Sequence, residues 1–399
     1  MNIKSTIKLP DDVKFIISRI EQNGGSAYAV GGCVRDALLK KEPYDWDITT
    51  DKTPLETERC FSEFNVIETG IKHGTVTIRL NGKNYEVTTF RTEGTYSDCR
   101  RPDSVEFVKN LKEDLSRRDF TINAMAYNDK CGIVDLFGGQ SDLQKKIIRC
   151  VGDAEKRFSE DALRILRALR FSSTLEFKTD IECKNAVFAK YYELKNVSAE
   201  RIKTELFKMI TGKNFKYVCS NYKNVIDDVI YGVKCDLITD VFFEKAFNYE
   251  PYKAFAAAVR MSKCENLSKC CANLKLSNFE KNAVKLSALN PDLTDKTSVL
   301  RFMSTISDES FDALLDIWDL CGENTKFYRK VKYDVQKNNT CFRLKHLCID
   351  GADVKKYTLY SGRDIGRILN LCLDEVICGN LCNNKESLIE FIKSVNLTR

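Results

Sequence analysis

Two aspartates separated by one residue, Asp45 and Asp47, are the side chains of this sequence best suited to metal chemistry. They occur in the string DWDITT, which we interpret as a β-strand. Side chains two residues apart on a strand project from the same face, so both carboxylates can contact one divalent cation. A solvated pair of aspartates at a strand end is the alternative for so short a pattern.

The segment before these aspartates contains a pair of glycines that suits an anion. Gly31 and Gly32 follow an apolar run, and they allow the backbone to turn tightly into a helix that we predict from Val34. Amide groups at the start of that helix can face an anion, and Arg35 adds positive charge. A glycine pair by itself is weak evidence. Together with the aspartates, it predicts a nucleoside triphosphate held through magnesium.

A third carboxylate comes from the string YEVTTFR, which we interpret as another strand. Its alternation places Glu86, Thr88 and Phe90 on one face. Glu86 is therefore either a third acidic group near the metal or a surface glutamate, and the spacing leaves both interpretations open.

A cluster of charged and amide side chains follows in the string LKEDLSRRDFTINAMAYN. Arg117 and Arg118 offer planar guanidinium groups that match phosphate oxygens. Asp119 and Asn123 can accept from and donate to the hydroxyl groups of a ribose. The cluster predicts a ribonucleotide ligand, and a plain salt-bridge cluster is the alternative.

The stretch EDALRILRALRFSST predicts one helix over residues 160–174. Apolar residues occupy most of its surface, so Arg164, Arg167 and Arg170 form a ridge beside packed surface and require partners. Asp161 lies three residues before Arg164, on the same helix face. An intrahelical ion pair is the ordinary interpretation of that spacing.

These segments need strands and helices that position them. Apolar residues at helical spacing predict an entry helix over residues 10–22 that packs on a sheet. A helix and three strands are predicted at 55–61, 65–68, 75–80 and 85–90. Asn81-Gly82 between the last two strands is a hairpin signal. Beyond the helix at 160–174 the remaining chain is predicted to be all helix.

The strings GGCVRD, DWDITT, RRDFTINAM and EDALRILRALRF together resemble the motifs of the polymerase-beta-like nucleotidyltransferases. Within that group they resemble the class II (bacterial-type) tRNA nucleotidyltransferase and poly(A) polymerase family, closely over residues 25–210 and more loosely over 347–395. The resemblance implies an α+β catalytic head, made of a polymerase-beta-like nucleotidyltransferase sheet with helices, followed by an all-α neck, body and tail. The implied boundaries are 1–148 for the head, 149–212 for the neck, 213–320 for the body and 321–399 for the tail.

The resemblance also implies a CCA-adding reaction on tRNA with CTP and ATP as substrates. An RNA 3′-hydroxyl would attack the α-phosphate, pyrophosphate would leave, and Mg2+ on Asp45 and Asp47 would support the attack. In the family an E-D-x-x-R motif, here with Asp161 and Arg164, replaces a nucleic-acid template. Its carboxylate would accept from the amino group of cytosine or adenine, and its guanidinium would donate to the ring. The tail is implied to hold the acceptor and T-arm minihelix of tRNA.

The residues implied to act in catalysis are Asp45, Asp47 and Glu86, with the two aspartates as metal ligands. The residues implied to bind the nucleotide are Gly31, Gly32, Arg35, Arg118, Asp119, Asn123, Asp161, Arg164, Arg167 and Arg170.

Several alternatives share parts of this pattern. Partial enzymes that add only CC or only A have almost every motif, and the polar loop over residues 92–105 favours an enzyme that also adds adenosine. A poly(A) polymerase would have a different, arginine-rich string at residues 68–75, where this chain has ETGIKHGT. An RNA-binding protein without catalysis is a further alternative, and the intact carboxylates speak against it.

Composition sets broad limits on the protein. The chain has 399 residues, of which 43% are hydrophobic, and it has a formal net charge of +6, so we expect a globular protein of several domains with mild basic character. Its 17 cysteines are scattered and we expect them to be reduced, because the start of the sequence does not resemble a secretory signal. No apolar run is long enough for a membrane span. The expected location is the cytoplasm.

Overall fold

The computed structural model describes residues 7–94 and 105–395, apart from the side chains of Thr69, Lys72 and Glu93. The chain forms two compact units. The first contains the chain up to Tyr231 together with Asn273–Lys275, and the second contains Gly232–Ala272 and the chain from Leu276 onwards.

The first unit is organised around a mixed β-sheet. Its strands, in chain order, are β1 (Ala27–Val30), β2 (Ile48–Thr50), β3 (Asn65–Gly70), β4 (Thr75–Leu80), β5 (Lys83–Thr89), β6 (Arg91–Glu93), β7 (Val105–Phe107), β8 (Met125–Asn128), β9 (Gly132–Asp135), β10 (Ile147–Ile148) and β11 (Lys178–Thr179). Seven of them form one sheet in the order β3-β4-β5-β2-β1-β8-β9. In it β2 and β5 run parallel, whereas the other neighbours run antiparallel. Two small ribbons, β6–β7 and β10–β11, complete the strand pairing.

The first unit also contains helices that flank this sheet and helices that follow it in the chain. They are α1 (Asp11–Gln22), α2 (Gly32–Leu38), α3 (Pro54–Cys60), α4 (Leu111–Ser116), α5 (Gly139–Lys145), α6 (Ala154–Glu160), α7 (Leu163–Leu175), α8 (Ile181–Lys190), α9 (Ala199–Ile210) and α10 (Phe215–Val229). Helix α1 buries Val13, Ile16, Ile17 and Ile20 and contacts β1 and β2. The spacing of these residues is that of one helix face, so the predicted entry helix is confirmed.

The second unit is helical in the part of the chain that the structure describes. Its helices are α11 (Asp240–Lys245), α12 (Pro251–Met261), α13 (Leu267–Asn273, with Asn273 in the first unit), α14 (Asn278–Ser287), α15 (Lys296–Thr305), α16 (Asp308–Leu320), α17 (Lys326–Lys337), α18 (Gly351–Tyr357), α19 (Arg363–Cys378) and α20 (Lys385–Ser394). One apolar cluster gathers around Phe311 and Trp318, and a second around Val354 and Ile368. Within residues 7–94 and 105–395, the helices are too short or too polar for any of them to cross a membrane.

The local turn predictions were accurate. Asn81 and Gly82 adopt φ values of 50° and 76° between β4 and β5, which pair antiparallel. This is the backbone that a two-residue hairpin needs, and Asn-Gly adopts it with little strain. Gly138 likewise has a positive φ of 78° immediately before α5, a backbone conformation that glycine adopts without steric cost.

Two predictions about the segments that carry the acidic residues were wrong. Strand β2 begins at Ile48, so Asp45 and Asp47 precede it rather than lie in it. The predicted helix over 160–174 is interrupted at Asp161, which has extended backbone angles of φ −142° and ψ 103°. The Asp161 carboxylate accepts a hydrogen bond from the Leu163 amide at 3.1 Å. This contact competes with the backbone hydrogen bonds of a continuous helix. It favours the start of a new helix, as short acidic side chains do at helix beginnings.

Three smaller differences concern element boundaries. Helix α2 begins at Gly32, two residues before the predicted start. The predicted polar loop over 92–105 has strands β6 and β7 at its ends, and residues 95–104 lie outside the described residues. The short strand β11 pairs with β10 and interrupts the stretch that was predicted to be all helix.

Candidate active site

The two predicted metal ligands stand at the edge where β2 begins. The Asp47 carbonyl accepts a hydrogen bond from the Val30 amide at 3.0 Å, which extends the β1–β2 pairing by one step. The parallel register pairs Ile48 with Val87, so Asp47 and Glu86 are neighbours one residue earlier on adjacent strands. Ile48 and Val87 are buried, whereas Asp47 and Glu86 are exposed. The two carboxylates therefore project from the opposite, solvent-facing side of the sheet.

The electrostatics of Asp47 indicate a crowded group of acidic side chains. Although Asp47 is exposed, surrounding protein atoms remove part of its hydration, and this is the largest cause that raises its pKa to about 6. The negative charges of Asp45 and Glu86 raise it further, and the Arg118 guanidinium opposes them. A cation among these carboxylates would relieve their repulsion. The donor set thus fits a divalent metal.

The Glu86 prediction remains untested. Among the described residues, no group of three histidine, cysteine, aspartate or glutamate side chains converges as a ready-made metal site. Asp45 and Asp47 are the two predicted ligands, and the negative charge of Glu86 raises the pKa of Asp47. Its direct binding to metal stays a prediction.

The glycine pair brings an arginine next to the aspartates. Gly31 has φ 82°, and a Cβ added there would lie 3.0 Å from Nη1 of Arg118. Its amide donates to the Met125 carbonyl at 3.1 Å, so the segment is fixed on β8. Gly31 therefore serves two purposes, since it tolerates the left-handed backbone and leaves room for the guanidinium.

A residue that the sequence analysis did not single out, Asp114, orients this arginine. Asp114 is fully buried and accepts hydrogen bonds from Nη2 of Arg117 at 2.8 Å and Nη2 of Arg118 at 3.3 Å. Thr49 of β2 also donates to it at 3.2 Å. Its spacing of three and four residues from the two arginines was a signal of these pairs.

Asp119, Asn123 and Arg35 form a hydrogen-bonded chain in the structure. Nη1 of Arg35 donates to the Asn123 amide oxygen at 2.7 Å, and Nδ2 of Asn123 donates to Oδ1 of Asp119 at 3.0 Å. Oδ2 of Asp119 accepts from Nε and Nη2 of Arg167, at 2.8 and 2.6 Å. Burial favours the neutral acid, but Arg167 outweighs it, followed by Asn123, so the pKa of Asp119 is lowered to about 2. Asp119 and Asn123 thus already have partners within the protein. Their predicted contacts with a ribose remain predictions.

The arginine ridge of α7 is held by an acidic and an aromatic residue that the sequence analysis left out. Glu205 of α9 pairs with Arg170 and lies 3.6 Å from Arg167. The ring of Phe171 has Arg170 at 3.7 Å, Arg35 at 5.0 Å and Arg167 at 5.5 Å from its centroid. An aromatic face attracts cations. Phe171 therefore helps to gather three guanidinium groups that would otherwise repel one another.

Asp161 and Arg164 do not form the intrahelical pair that their spacing suggested. Asp161 accepts from Nη2 of Arg201 at 2.8 Å, and Nη1 of Arg164 donates to Glu160 at 2.8 Å. The interruption between α6 and α7 separates the two residues, because Asp161 is no longer part of the helix that carries Arg164. Their predicted role in base selection is not tested by these contacts.

Comparison with protein families identifies the two parts of the chain that carry known domains. Residues 27–149 match the family model described as the poly A polymerase head domain, and residues 251–392 match that of tRNA nucleotidyltransferase domain 2. A CCA-adding enzyme of Ligilactobacillus salivarius is 35% identical over 97% of this chain and 98% of its own. The chain belongs to the CCA-adding enzyme family. One from Lactobacillus delbrueckii subsp. bulgaricus is 34% identical over 94% of this chain and 96% of its own.

Solved structures of CCA-adding enzymes share this fold. The crystal structure of the Bacillus stearothermophilus CCA-adding enzyme in complex with CTP has a TM-score of 0.80 and 28% identity, and covers 95% of both chains. The Thermotoga maritima CCA-adding enzyme complexed with tRNA has a TM-score of 0.68 at 21% identity, covering 96% of this chain and 95% of its own, and is similar in fold. The predicted α+β head with a mostly helical remainder is thus confirmed. As a CCA-adding enzyme the chain is a nucleotidyltransferase, and such enzymes generally use a divalent metal.

Proposed function

We propose that this CCA-adding enzyme extends the 3′ end of tRNA by C, C and A, from CTP and ATP and without a nucleic-acid template. The 3′-hydroxyl of the RNA attacks the α-phosphate of the nucleotide, and pyrophosphate leaves. The observation that carries this proposal is the pair Asp45 and Asp47 at the start of β2, with Arg118 beside it. Family membership supports the same reaction.

Asp45 and Asp47 are the residues that would hold magnesium, the metal we propose. Oxygen ligands suit this hard cation. Burial, followed by the negative charges of Asp45 and Glu86, raises the pKa of Asp47, and a bound cation would favour its ionised form. When bound, magnesium would lower the negative charge around the reacting phosphates. Glu86 is proposed to act beside the two aspartates, as a third acidic group in catalysis.

The chain's own basic groups would position the triphosphate. Arg118 stands within reach of the Gly31 backbone and is oriented by the buried Asp114. Gly32 and Arg35 follow in α2, and we propose that they contribute a backbone amide and a positive charge to the same ligand. Guanidinium groups held in this way bind phosphate oxygens without first losing side-chain freedom. We propose that Asp119 and Asn123, through their network, fix the ribose-binding geometry.

Base selection is proposed for Asp161 and Arg164, with Arg167 and Arg170 supporting them. Oδ2 of Asp161 accepts from Arg201, but each carboxylate oxygen has two lone pairs, so Asp161 retains capacity to accept from a base amino group. Cytosine and adenine both present such an amino group, whereas uracil and guanine present a carbonyl at that position. A carbonyl facing a carboxylate is repelled, which provides the discrimination.

The division of the chain into functional parts is also a proposal. We assign catalysis to residues 1–148 and nucleotide selection to 149–212, with a body at 213–320 and a tRNA-binding tail at 321–399. The tRNA partner would be bound through its acceptor and T-arm minihelix. We place the enzyme in the cytoplasm because its proposed substrate is tRNA.

A nucleotide-addition assay tests the proposed reaction. Purified enzyme is given tRNA ending at the discriminator base, with magnesium and labelled CTP, ATP or both. With both nucleotides we expect a product three nucleotides longer and no further growth, and with CTP alone a product two nucleotides longer. A long ladder with ATP would identify a poly(A) polymerase instead, and a stop at two with both nucleotides would identify a CC-adding enzyme.

Two further substrates complete this assay. A tRNA already ending in CC should gain one adenosine, and if it is the only substrate extended, the enzyme adds A alone. The variant Asp47→Ala serves as the matched control for contaminating activity. Absence of any addition by the unmodified enzyme would overturn the proposal and leave an RNA-binding protein.

A further inference from the structure

A polar cavity in the second unit is lined mostly by residues of the proposed tail, none of which has been given an individual role above. Its volume is about 370 Å3. It is lined by the end of α17 and the segment after it, including Gln336, Asn339, Thr340 and Arg343. The short 3-10 helix Leu344–His346 adds Lys345 and His346. The lining therefore combines amide and hydroxyl groups with several basic side chains.

Two nitrogen atoms of this lining are buried without a hydrogen-bond partner. Among the described residues, neither Nε of Arg343 nor Nδ1 of His346 has a partner. Buried polar groups are nearly always paired, so each unpaired one calls for an explanation. Arg343 is otherwise fixed, because its Nη2 donates to Asp308 at 2.9 Å and to the Ile306 carbonyl at 2.9 Å. A ligand that accepts hydrogen bonds would satisfy the remaining donor.

The charges around the cavity favour an anion over other acceptors. Arg343 and Lys345 are positive and Asp308, which pairs with Arg343, is negative, so these two positive charges and one negative charge give the lining a net charge of +1. Lys345 is exposed, and no ion pair within the described part of the chain involves it. The ring centroid of Phe342 lies 4.9 Å from the Arg343 guanidinium and 5.1 Å from the ring centroid of His346. The aromatic ring therefore packs against both groups and helps to position them in the lining.

We propose that this cavity binds a phosphate group, through Arg343, Lys345 and His346 with help from the neighbouring amide side chains. A guanidinium donates hydrogen bonds to phosphate oxygens in a fixed geometry, and an ammonium group adds a further charged donor. The phosphate could belong to a small molecule or to the backbone of an RNA, and the chemistry of recognition is the same for both. All lining residues belong to the second unit, so the site does not depend on the catalytic residues.

The chain contains only two histidines, His73 and His346. The NMR signals of the His346 imidazole can therefore be followed directly as a measure of phosphate binding in the cavity. Enzyme labelled with 15N-histidine gives two sets of imidazole resonances, assigned with the variant His346→Gln. Sodium phosphate is then titrated against a sodium chloride reference of equal ionic strength. We expect the His346 resonances to shift saturably with phosphate and not with chloride. The exposed His73, in the first unit, reports on effects elsewhere.

Two lysine variants test the assignment of the site. Lys345→Gln removes one charge from the lining, and we expect the phosphate concentration at half-saturation to rise roughly five- to tenfold. Lys330→Gln is the matched control, because Lys330 is an exposed lysine of α17 that does not line the cavity. It should leave the titration unchanged. Since both lysines are exposed, neither substitution should prevent folding.

A second titration with a short RNA duplex separates the two sources of phosphate. A His346 shift at micromolar duplex would identify the RNA backbone as the ligand, and a shift with inorganic phosphate alone would identify a small-molecule site. The proposal is overturned if neither probe moves the His346 resonances, or if Lys345→Gln and Lys330→Gln change the titration equally. Nucleotide addition is not used as a readout, so these outcomes are independent of the proposed function.

Discussion

The pair Asp119–Arg167 allows the clearest distinction between a structural and a ligand-binding role for a motif residue. The two residues lie 48 positions apart in the chain and make two hydrogen bonds, at 2.8 and 2.6 Å. The proposed variant is Asp119→Asn, which keeps the size of the side chain and removes its charge. If the ion pair is the main role of Asp119, the variant should lose stability.

The magnitude follows from the pKa of Asp119. In the folded protein it is about 2, compared with an ordinary 3.8, and one pH unit corresponds to about 1.36 kcal/mol. The ionised Asp119 in this environment therefore contributes, net of its burial, about 2 kcal/mol to the free energy of unfolding, with Arg167 as the largest favourable cause. Because the folded pKa is lowered, this contribution is fully present above pH 3.8 and is lost as the pH falls through about 2. Measurements at pH 7 capture all of it.

A double-mutant cycle measures this contribution directly. The unfolding free energies of the parent, Asp119→Asn, Arg167→Gln and the double variant are compared in urea, and we expect a coupling energy of about 2 kcal/mol. The chain has two tryptophans, Trp46 in the first unit and Trp318 in the second. In a Trp318→Phe background, the fluorescence of Trp46 reports on the first unit. All four proteins of the cycle carry this substitution, so its effect on the second unit cancels in the comparison.

The control for this cycle is Glu113→Gln. Glu113 is exposed on α4 and, in the described part of the chain, has no ion pair, so its variant should change stability by less than about 0.5 kcal/mol. A coupling energy below about 0.5 kcal/mol would refute the structural role of Asp119. If the KM values for CTP and ATP rose in the same variant, the carboxylate would act mainly on the ribose.

Three further predictions concern the catalytic groups. Asp47→Ala should lower the rate of nucleotide addition at least about a hundredfold. The binding of tRNA, measured by filter retention, should persist. Near-normal turnover would contradict the metal-ligand role. Gly31→Ala should cost about 1–2 kcal/mol of stability through its positive φ and also raise the KM for CTP by displacing Arg118. Gly132→Ala is the control, because Gly132 also has a positive φ but a Cβ added there has no atom within 4 Å. It should leave the KM for CTP unchanged. Equal KM values in both variants would exclude the Arg118 contact as the cause. Asp161→Ala should let UTP or GTP compete better in misincorporation assays, by roughly 1–3 kcal/mol of lost discrimination, whereas equal losses for all nucleotides would indicate that Asp161 is structural.

The sequence by itself determined the features that depend on near neighbours in the chain. The apolar spacing of α1 and the Asn81-Gly82 hairpin are examples, since each is decided by backbone preferences within a few residues. The family was also recognisable from the sequence, because its motifs are short strings with fixed spacing. Asp45 and Asp47 were singled out in this way as predicted metal ligands, although strand β2 begins at Ile48, one residue after Asp47.

The tertiary structure alone decided which charged groups distant in the chain meet. Asp161 has Arg201 as its partner, 40 residues away, and Arg170 has Glu205, 35 residues away. The sequence offers many arginines, and spacing favoured Arg164 for Asp161 because it assumed one unbroken helix. The packing of α7 against α9 brings the actual partners together, and the break at Asp161 removes the local alternative. Ion-pair partners in a buried network depend on how the helices dock, because only docking removes water from both charges at once.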